Sequence, residues 1–240
     1  MSDTMTIRFS ATTHVGRVRK INEDSILALP DLRVWVVSDG VGGHAAGDFA
    51  SQTVVDAISV LPRDLAPGDL MRALRAAILR AHDIIRSEAQ ARHVDLIGAT
   101  VVALMLSDGH FLCFWAGDSR LYRFRGGEIE MLSTDHSIVA DYVTSGQMSW
   151  DEADLLPHAN QITRAVGVGD TLDLDKIRGE ALPGDRFLIC SDGLTKYASF
   201  AVLKRMVPRA PIETVADSLL QLALESGGGD NISIIVVDVV

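Results

Sequence analysis

Residues 33–43 read RVWVVSDGVGG: a short apolar run that ends in Asp39-Gly40 and continues into glycines instead of a returning strand. Short apolar runs bounded by turn residues are typical of buried strands. Similar runs recur at 99–106, 111–116, 187–190 and 232–239. The sequences Ser107-Asp108-Gly109 and Arg125-Gly126-Gly127-Glu128 predict tight turns between neighbouring strands.

Three other stretches carry the apolar spacing of helices. One covers residues 47–61, a second follows Asp69, which we predict as its N-cap, and a third has Pro211 in its first turn. The region 137–155 predicts two short helical pieces separated by a glycine turn. Because strands come in clusters and helices in blocks, we predict an α+β fold in which antiparallel sheet is covered by helices, in one domain.

The composition is that of an ordinary globular protein. The 240 residues include 22 basic and 32 acidic side chains, which give a net charge of −10, and 48% are hydrophobic. This acidic balance argues against a nucleic-acid partner, since phosphates would be repelled. No apolar stretch approaches the roughly 18 to 20 residues of a membrane span, and no signal peptide is evident. Cys113 and Cys190 lie in apolar runs, so we expect buried thiols in a reducing cytoplasm.

Acidic residues stand at the ends of several apolar runs, usually beside glycine. They occur in Glu23-Asp24, Asp39-Gly40, Gly117-Asp118, Asp192-Gly193 and Gly229-Asp230. Each pair taken alone is most often a turn. Asp39-Gly40 and Asp192-Gly193, however, are not followed by a returning strand, which makes a simple hairpin turn a poorer explanation for them. If the strand ends converge in the fold, the two carboxylates converge as well. Carboxylates about 4 Å apart repel by several kcal/mol, and such a cluster persists by protonation or by binding hard divalent ions.

Basic residues close to these acids indicate a possible substrate. Arg17 and Arg19 precede Asn22-Glu23-Asp24, and the planar fork of arginine matches two phosphate oxygens. Two metal ions with an arginine suit the hydrolysis of a phosphate ester. A solvated surface turn explains Arg17 and Arg19 at least equally well on spacing alone.

Five segments in order resemble the motifs of the metal-dependent protein phosphatases of type 2C, the PPM family. They are RKINED at 19–24, SDGVGGH at 38–44, GDSR at 117–120, SDGLT at 191–195 and GGDN at 228–231. The stretches 134–137 and 160–167 also resemble bacterial members, so the resemblance spans roughly residues 7 to 239.

The resemblance implies a four-layer α-β-β-α sandwich of two antiparallel sheets flanked by helices. It implies one catalytic domain over residues 1–240, with a flap at about 133–167. The implied reaction is hydrolysis of phosphoserine and phosphothreonine in proteins by a metal-bridging water, with two Mn²⁺ or Mg²⁺ ions. The implied partners are phosphoproteins and an opposing bacterial serine/threonine kinase; we expect a monomer without nucleic-acid or membrane partners.

Matching motifs also imply which residues bind the two ions. Asp39 is expected to bridge them, and Gly40 to contribute its carbonyl oxygen. Asp192 and Asp230 are expected to complete the shell of one ion.

Further roles follow from the same resemblance. Glu23 and Asp24 are expected to act largely through metal-bound water or hydrogen bonds to the ligands. Arg19 is expected to bind the substrate phosphate during catalysis. Asp118 resembles a residue that holds a third, weaker ion together with Asp192.

The sequence departs from the family pattern at two positions. Lys196 replaces an acidic residue, and its ammonium either takes the place of the third ion's charge or points to solvent. Val41 replaces a histidine proposed as general acid, which leaves His44 either as a candidate proton donor or as a cap of the loop. These departures keep one alternative open, a weakly active or inactive phosphoprotein-binding scaffold. The motifs also do not exclude a metal-dependent phosphoesterase for small molecules.

Overall fold

The structure, a computed structural model, describes residues 6–42, 46–107 and 109–240. Its strands are β1 (Ile7–His14), β2 (Asp24–Leu29), β3 (Val34–Val41), β4 (Gly98–Ala99), β5 (Val101–Ser107), β6 (His110–Ala116), β7 (Arg120–Arg125), β8 (Glu128–Met131), β9 (Asp175–Glu180), β10 (Arg186–Cys190) and β11 (Ile232–Val239). Its α-helices are α1 (Gly47–Ser59), α2 (Pro67–Arg92), α3 (Ala140–Thr144), α4 (Trp150–Ala153), α5 (Asp192–Thr195), α6 (Phe200–Met206) and α7 (Ile212–Glu225).

The strands form two antiparallel sheets. One sheet has the order β1-β11-β10-β7-β8, and the other has the order β2-β3-β5-β6-β9, with β4 paired to the end of β3. Strands inside each sheet are buried on both faces, because helices cover one face and the other sheet covers the opposite face. This explains why these strands are continuous apolar runs instead of alternating patterns.

Three hydrophobic layers hold the sandwich together. Trp35, Phe187 and Ile235 belong to the layer between the sheets. Helices α1 and α2 pack on the sheet that contains β3, and α7 packs on the sheet that contains β11. The predicted α-β-β-α sandwich is therefore confirmed, as is the α+β class.

Details of the helices differ from the sequence-based expectation. Helix α2 begins at Pro67 after Ala66, so the prediction that Asp69 is the N-cap is wrong. Proline suits the first position of a helix because the N–H that it lacks would have no acceptor within the helix there. Asp69 instead pairs with Arg72. Pro211 lies one residue before α7 and not within its first turn.

Turns and short elements agree with the prediction where they are described. Arg125 pairs with Glu128 across the β7–β8 turn, and Ser107 pairs with His110 across the β5–β6 turn. Asp108 itself lies outside the described residues. Helices α3 and α4 are the two short pieces expected in the region 137–155.

Cys113 and Cys190 are buried free thiols, as predicted. Over the described part of the chain, none of the helices has both the length and the apolar character needed to cross a bilayer.

Candidate metal centre

The ends of β2 and β3 bring the first two acidic residues together. Asp24 and Asp39 are directly opposite each other in the antiparallel register. The backbone N–H of Asp39 donates to Thr100 Oγ1 at 3.0 Å, and that of Gly40 donates to the Glu23 carbonyl at 3.1 Å. A methyl group at Gly40 would lie 2.1 Å from the Gly47 carbonyl, so only glycine lets α1 start this close to the strand end.

The second sheet meets the first at this edge. Ser191, at the end of β10, donates from Oγ to Asp24 Oδ2 at 2.8 Å. A methyl group at Gly193 would lie 1.8 Å from the Asn231 carbonyl, so the segments that follow β10 and precede β11 are in contact. Asp192 and Asp230 are therefore carried to the same edge as Asp24 and Asp39.

Asn231 ties together loops that are far apart in sequence. Its Oδ1 accepts from the Glu23 N–H at 2.8 Å, and its Nδ2 donates to the carbonyls of Val15 and Ile21 at 2.9 and 3.0 Å. The sequence analysis quoted Asn231 within a motif but gave it no role. The sequence Gly229-Asp230-Asn231 predicts a loop, but only the folded structure shows which carbonyl groups the side-chain amide of Asn231 contacts.

Five carboxylates, here called the acid cluster, influence one another electrostatically: Asp24, Asp39, Asp118, Asp192 and Asp230. Burial is the main cause that raises the pKa of Asp24 to about 7; hydrogen bonds with Ser233 and Ser191 oppose the rise, and Asp192 and Asp230 contribute to it. Asp39 keeps part of its surface exposed, yet desolvation first and the four other members second hold its pKa well above its usual range. Like charges brought together in this way favour either protonation or a bound cation.

Two basic side chains are already bound to the acid cluster. Lys196 Nζ lies 2.8 Å from Asp192 Oδ2 and 2.7 Å from Asp230 Oδ2. Arg19 binds Asp230 through Nε at 2.9 Å and Nη2 at 3.1 Å. Burial alone would raise the pKa of Asp230, but Lys196 and Arg19 together hold it below its usual value. Lys196 therefore points into the acid cluster and not to solvent.

The composition of the acid cluster fits a hard divalent ion. Its side-chain donors are carboxylate oxygens, which suit Mg²⁺ or Mn²⁺ better than zinc. The buried Oδ1 of Asp24 has no hydrogen-bond partner among the described residues. In the same part of the chain, no three or more His, Cys, Asp or Glu side chains are arranged to hold a metal ion as they stand. The carboxylate oxygens are suitable ligands for such an ion, but the ammonium of Lys196 lies between Asp192 and Asp230.

The remaining predicted site residues lie around the acid cluster. Asp118 is buried and lines a cavity of about 50 Å³ with Asp192 and Lys196. The carboxylate of Glu23 lies beside Gly47, the first residue of α1, where a methyl group would meet its Oε1 at 2.7 Å. His44 lies outside the described residues, so its candidate role as proton donor stays a prediction.

The segment 133–167, expected as the flap, is anchored beside the cluster. Its base is closed by an isolated bridge between Ser137 and Ile162. Arg120 of β7 donates to Asp135 at 2.7 Å and to Asp154 at 2.7 Å. His136, for which the sequence indicated no role, accepts at Nδ1 from the Gly117 N–H at 3.0 Å. The segment 133–167 is thus connected to the residue that precedes Asp118.

Known proteins match this chain over nearly its whole length. The sequence model of a family described as protein phosphatase 2C matches residues 13–227. The serine/threonine protein phosphatase PstP of Mycobacterium tuberculosis is 34% identical over 238 residues, which cover 99% of this chain and 46% of PstP. The serine/threonine phosphatase stp of Listeria monocytogenes is 30% identical over 94% of this chain and 93% of its own length. The chain therefore spans about half of PstP.

Solved structures share the whole fold. A structure of PppA, described as a key regulatory component of T6SS in Pseudomonas aeruginosa, has a TM-score of 0.89 and 41% identity, with 98% of both chains covered. The catalytic domain of PstP in complex with two manganese ions has a TM-score of 0.89 and 34% identity, covering 99% of this chain and 100% of that one. On these matches, the chain belongs to the protein phosphatase 2C family.

Proposed function

We propose that this protein is a metal-dependent serine/threonine phosphatase that hydrolyses phosphoserine and phosphothreonine in proteins. The observation that supports this most strongly is the convergence of Asp39, Asp192 and Asp230 from separate strand ends on one edge of the sandwich. Acids brought so close favour protonation or a bound cation, and the relatives that share this fold are named serine/threonine phosphatases.

Two Mn²⁺ or Mg²⁺ ions bound here would make a water reactive near neutral pH and would offset developing negative charge on the phosphoryl oxygens. The residues that would hold them are Asp39, the Gly40 carbonyl, Asp192 and Asp230. Asp118 would support a third ion only weakly, because the ammonium of Lys196 lines the same cavity. Glu23 and Asp24 would act largely through metal-bound water or through hydrogen bonds to these ligands, and Asp24 is almost fully buried.

Arg19 is proposed to bind the substrate phosphate. It is about half exposed at the rim of the acid cluster, and its guanidinium makes two contacts with Asp230. A dianionic phosphate offers the same pair of acceptor oxygens as that carboxylate. Arg19 would therefore exchange one bidentate partner for another when substrate binds.

Replacing Arg19 with alanine is expected to raise the Michaelis constant for a phosphothreonine peptide by about tenfold. The reason is that a charge-assisted hydrogen bond made in the ground state contributes roughly 1.5 to 3 kcal/mol. Steady-state kinetics with saturating Mn²⁺ measures the change. Arg17→Ala is the matched control, because Arg17 is exposed in the same loop. An unchanged constant in Arg19→Ala would remove this residue from the substrate site.

One observation favours a second candidate, a phosphoprotein-binding scaffold with little turnover: Lys196 occupies the position between Asp192 and Asp230. Phosphate release from a phosphothreonine peptide, with millimolar Mn²⁺ and then with a chelator, separates the two functions. Mn²⁺-dependent release supports the phosphatase. Binding of the peptide without release supports the scaffold, and faster release from nucleotides than from the peptide supports a small-molecule phosphoesterase.

We further propose that residues 1–240 form one catalytic domain with its flap at about 133–167. The flap is proposed to contact the substrate protein, because its residues Asp154 and Asn160 line the same cavity as Asp118. The enzyme is proposed to act as a monomer in the cytoplasm, where its two thiols stay reduced, and to oppose a serine/threonine kinase.

A further inference from the structure

Lys196 is directed into the acid cluster by its own local structure. It follows α5 directly and lies one helical turn after Asp192, so its side chain reaches back to that carboxylate as an i,i+4 pair. The same Nζ also contacts Asp230, which lies in the loop before β11, 34 positions further along the chain. One ammonium therefore joins two acids that are carried by different segments.

Asp230 has no acceptor position left for another cation. Its Oδ1 accepts from Arg19 Nε at 2.9 Å and from the Asn231 N–H at 3.0 Å. Its Oδ2 accepts from Arg19 Nη2 at 3.1 Å and from Lys196 Nζ at 2.7 Å. A carboxylate offers about four lone-pair positions, so these contacts fill them. A divalent ion can bind Asp230 only if one of these donors leaves.

Lys196 is the donor whose departure such an ion requires. Arg19 and the Asn231 N–H bind Asp230 from the loops around it, whereas Lys196 lies between Asp230 and Asp192, where one ion would contact both. The lysine side chain is about one-third exposed, at 35%, and its flexible stem can swing the ammonium towards solvent. The two carboxylates are fixed by comparison, since Gly193 and the backbone of Asn231 are in direct contact.

We propose that Lys196 is an internal cation that holds Asp192 and Asp230 together in the metal-free protein and competes with the divalent ion for them. The inference rests on the proposed metal-dependent function and adds a condition to it: loading requires displacement of the lysine. An ion that took the contacts of Lys196 would also offset the charge of Asp230, which would weaken the pairing of Asp230 with Arg19.

The variant Lys196→Met tests the competition, because methionine keeps much of the aliphatic stem and removes the charge. Calorimetric titration of the metal-free protein with Mn²⁺ is expected to show binding that is tighter by on the order of tenfold to a hundredfold. The melting temperature without metal is expected to fall, because two neighbouring carboxylates lose their shared cation. Lys196→Arg, which keeps the charge, is expected to stay close to the wild type in both measurements.

Lys204→Met is the matched control, because Lys204 pairs with the exposed Glu128 at 2.6 Å, away from the acid cluster. It is expected to leave Mn²⁺ affinity unchanged. If the wild type binds Mn²⁺ and Lys196→Met binds it equally or more weakly, the competition is overturned while the proposed function stands. If neither binds Mn²⁺ at millimolar concentration, both are overturned. Should Lys196→Met fail to fold, Lys196→Gln supplies the same comparison.

Discussion

Asp39→Asn is expected to reduce Mn²⁺-dependent phosphate release by about a thousandfold or more, and to abolish measurable binding of at least one ion. Asp39 is the residue expected to contact both ions, and asparagine at this position carries no charge. Stability without metal should change by no more than about 1 kcal/mol, because asparagine keeps the shape of the side chain and removes a charge that burial and the neighbouring carboxylates disfavour, as the raised pKa of Asp39 indicates. Kinetics, calorimetry with Mn²⁺ and urea denaturation of the metal-free protein measure the three quantities.

Asp31→Asn is the matched control for Asp39. Asp31 forms an exposed ion pair with Arg63 at 2.7 Å and lies away from the acid cluster. The control should keep wild-type activity and metal affinity. Turnover within tenfold of wild type in Asp39→Asn would show that the acid cluster is not the reaction centre.

Arg120→Met is expected to lower the free energy of unfolding by about 3 to 5 kcal/mol. The guanidinium of Arg120 is almost fully buried and binds both Asp135, which is equally buried, and Asp154, which directly follows α4. Methionine fills part of the space but leaves Asp135 without its cation. Even beside Arg120, burial raises the pKa of Asp135 to about 6, so the carboxylate is costly to keep charged. Urea denaturation of the metal-free protein measures the loss.

Two further variants test this explanation. Arg63→Met, which removes a cation from an exposed pair, should cost no more than about 1 kcal/mol. Arg120→Met combined with Asp135→Asn should be more stable than Arg120→Met alone, because no buried charge is left unpaired. A loss below about 1 kcal/mol in the single variant would mean that water reaches Asp135 in the folded protein.

The interior strands and the edge strands β2 and β8 could be predicted from the sequence, whereas the edge strands β1 and β9 could not. The apolar runs of β3, β5 and β11 are buried on both faces, so their composition alone identifies them. Strands β1 and β9 lie at sheet edges and alternate between more and less exposed residues, which weakens the apolar signal. The short helices α5 and α6 gave no periodicity over enough residues to be recognised.

The candidate site was predictable in its members but not in its contacts. Aspartate beside glycine at a strand end is visible in the sequence, and the motif order gives the candidate list. The bridge from Lys196 to Asp192 and Asp230 depends on how two sheets meet, which no local pattern encodes. The same is true of Asn231, whose amide contacts loops more than two hundred positions away.

The pairing of the first strand with the last has a consequence for how the protein reaches its active form. Strand β1 aligns with β11 from Ile7 opposite Val239 to His14 opposite Ile232. Contacts between such distant segments form slowly, because closing the long loop between them costs conformational entropy before the contacts stabilise the chain. Asp230 stands just before β11, so we expect the acidic edge to form late in folding, and we expect a chain that lacks β11 to hold Asp230 poorly in place.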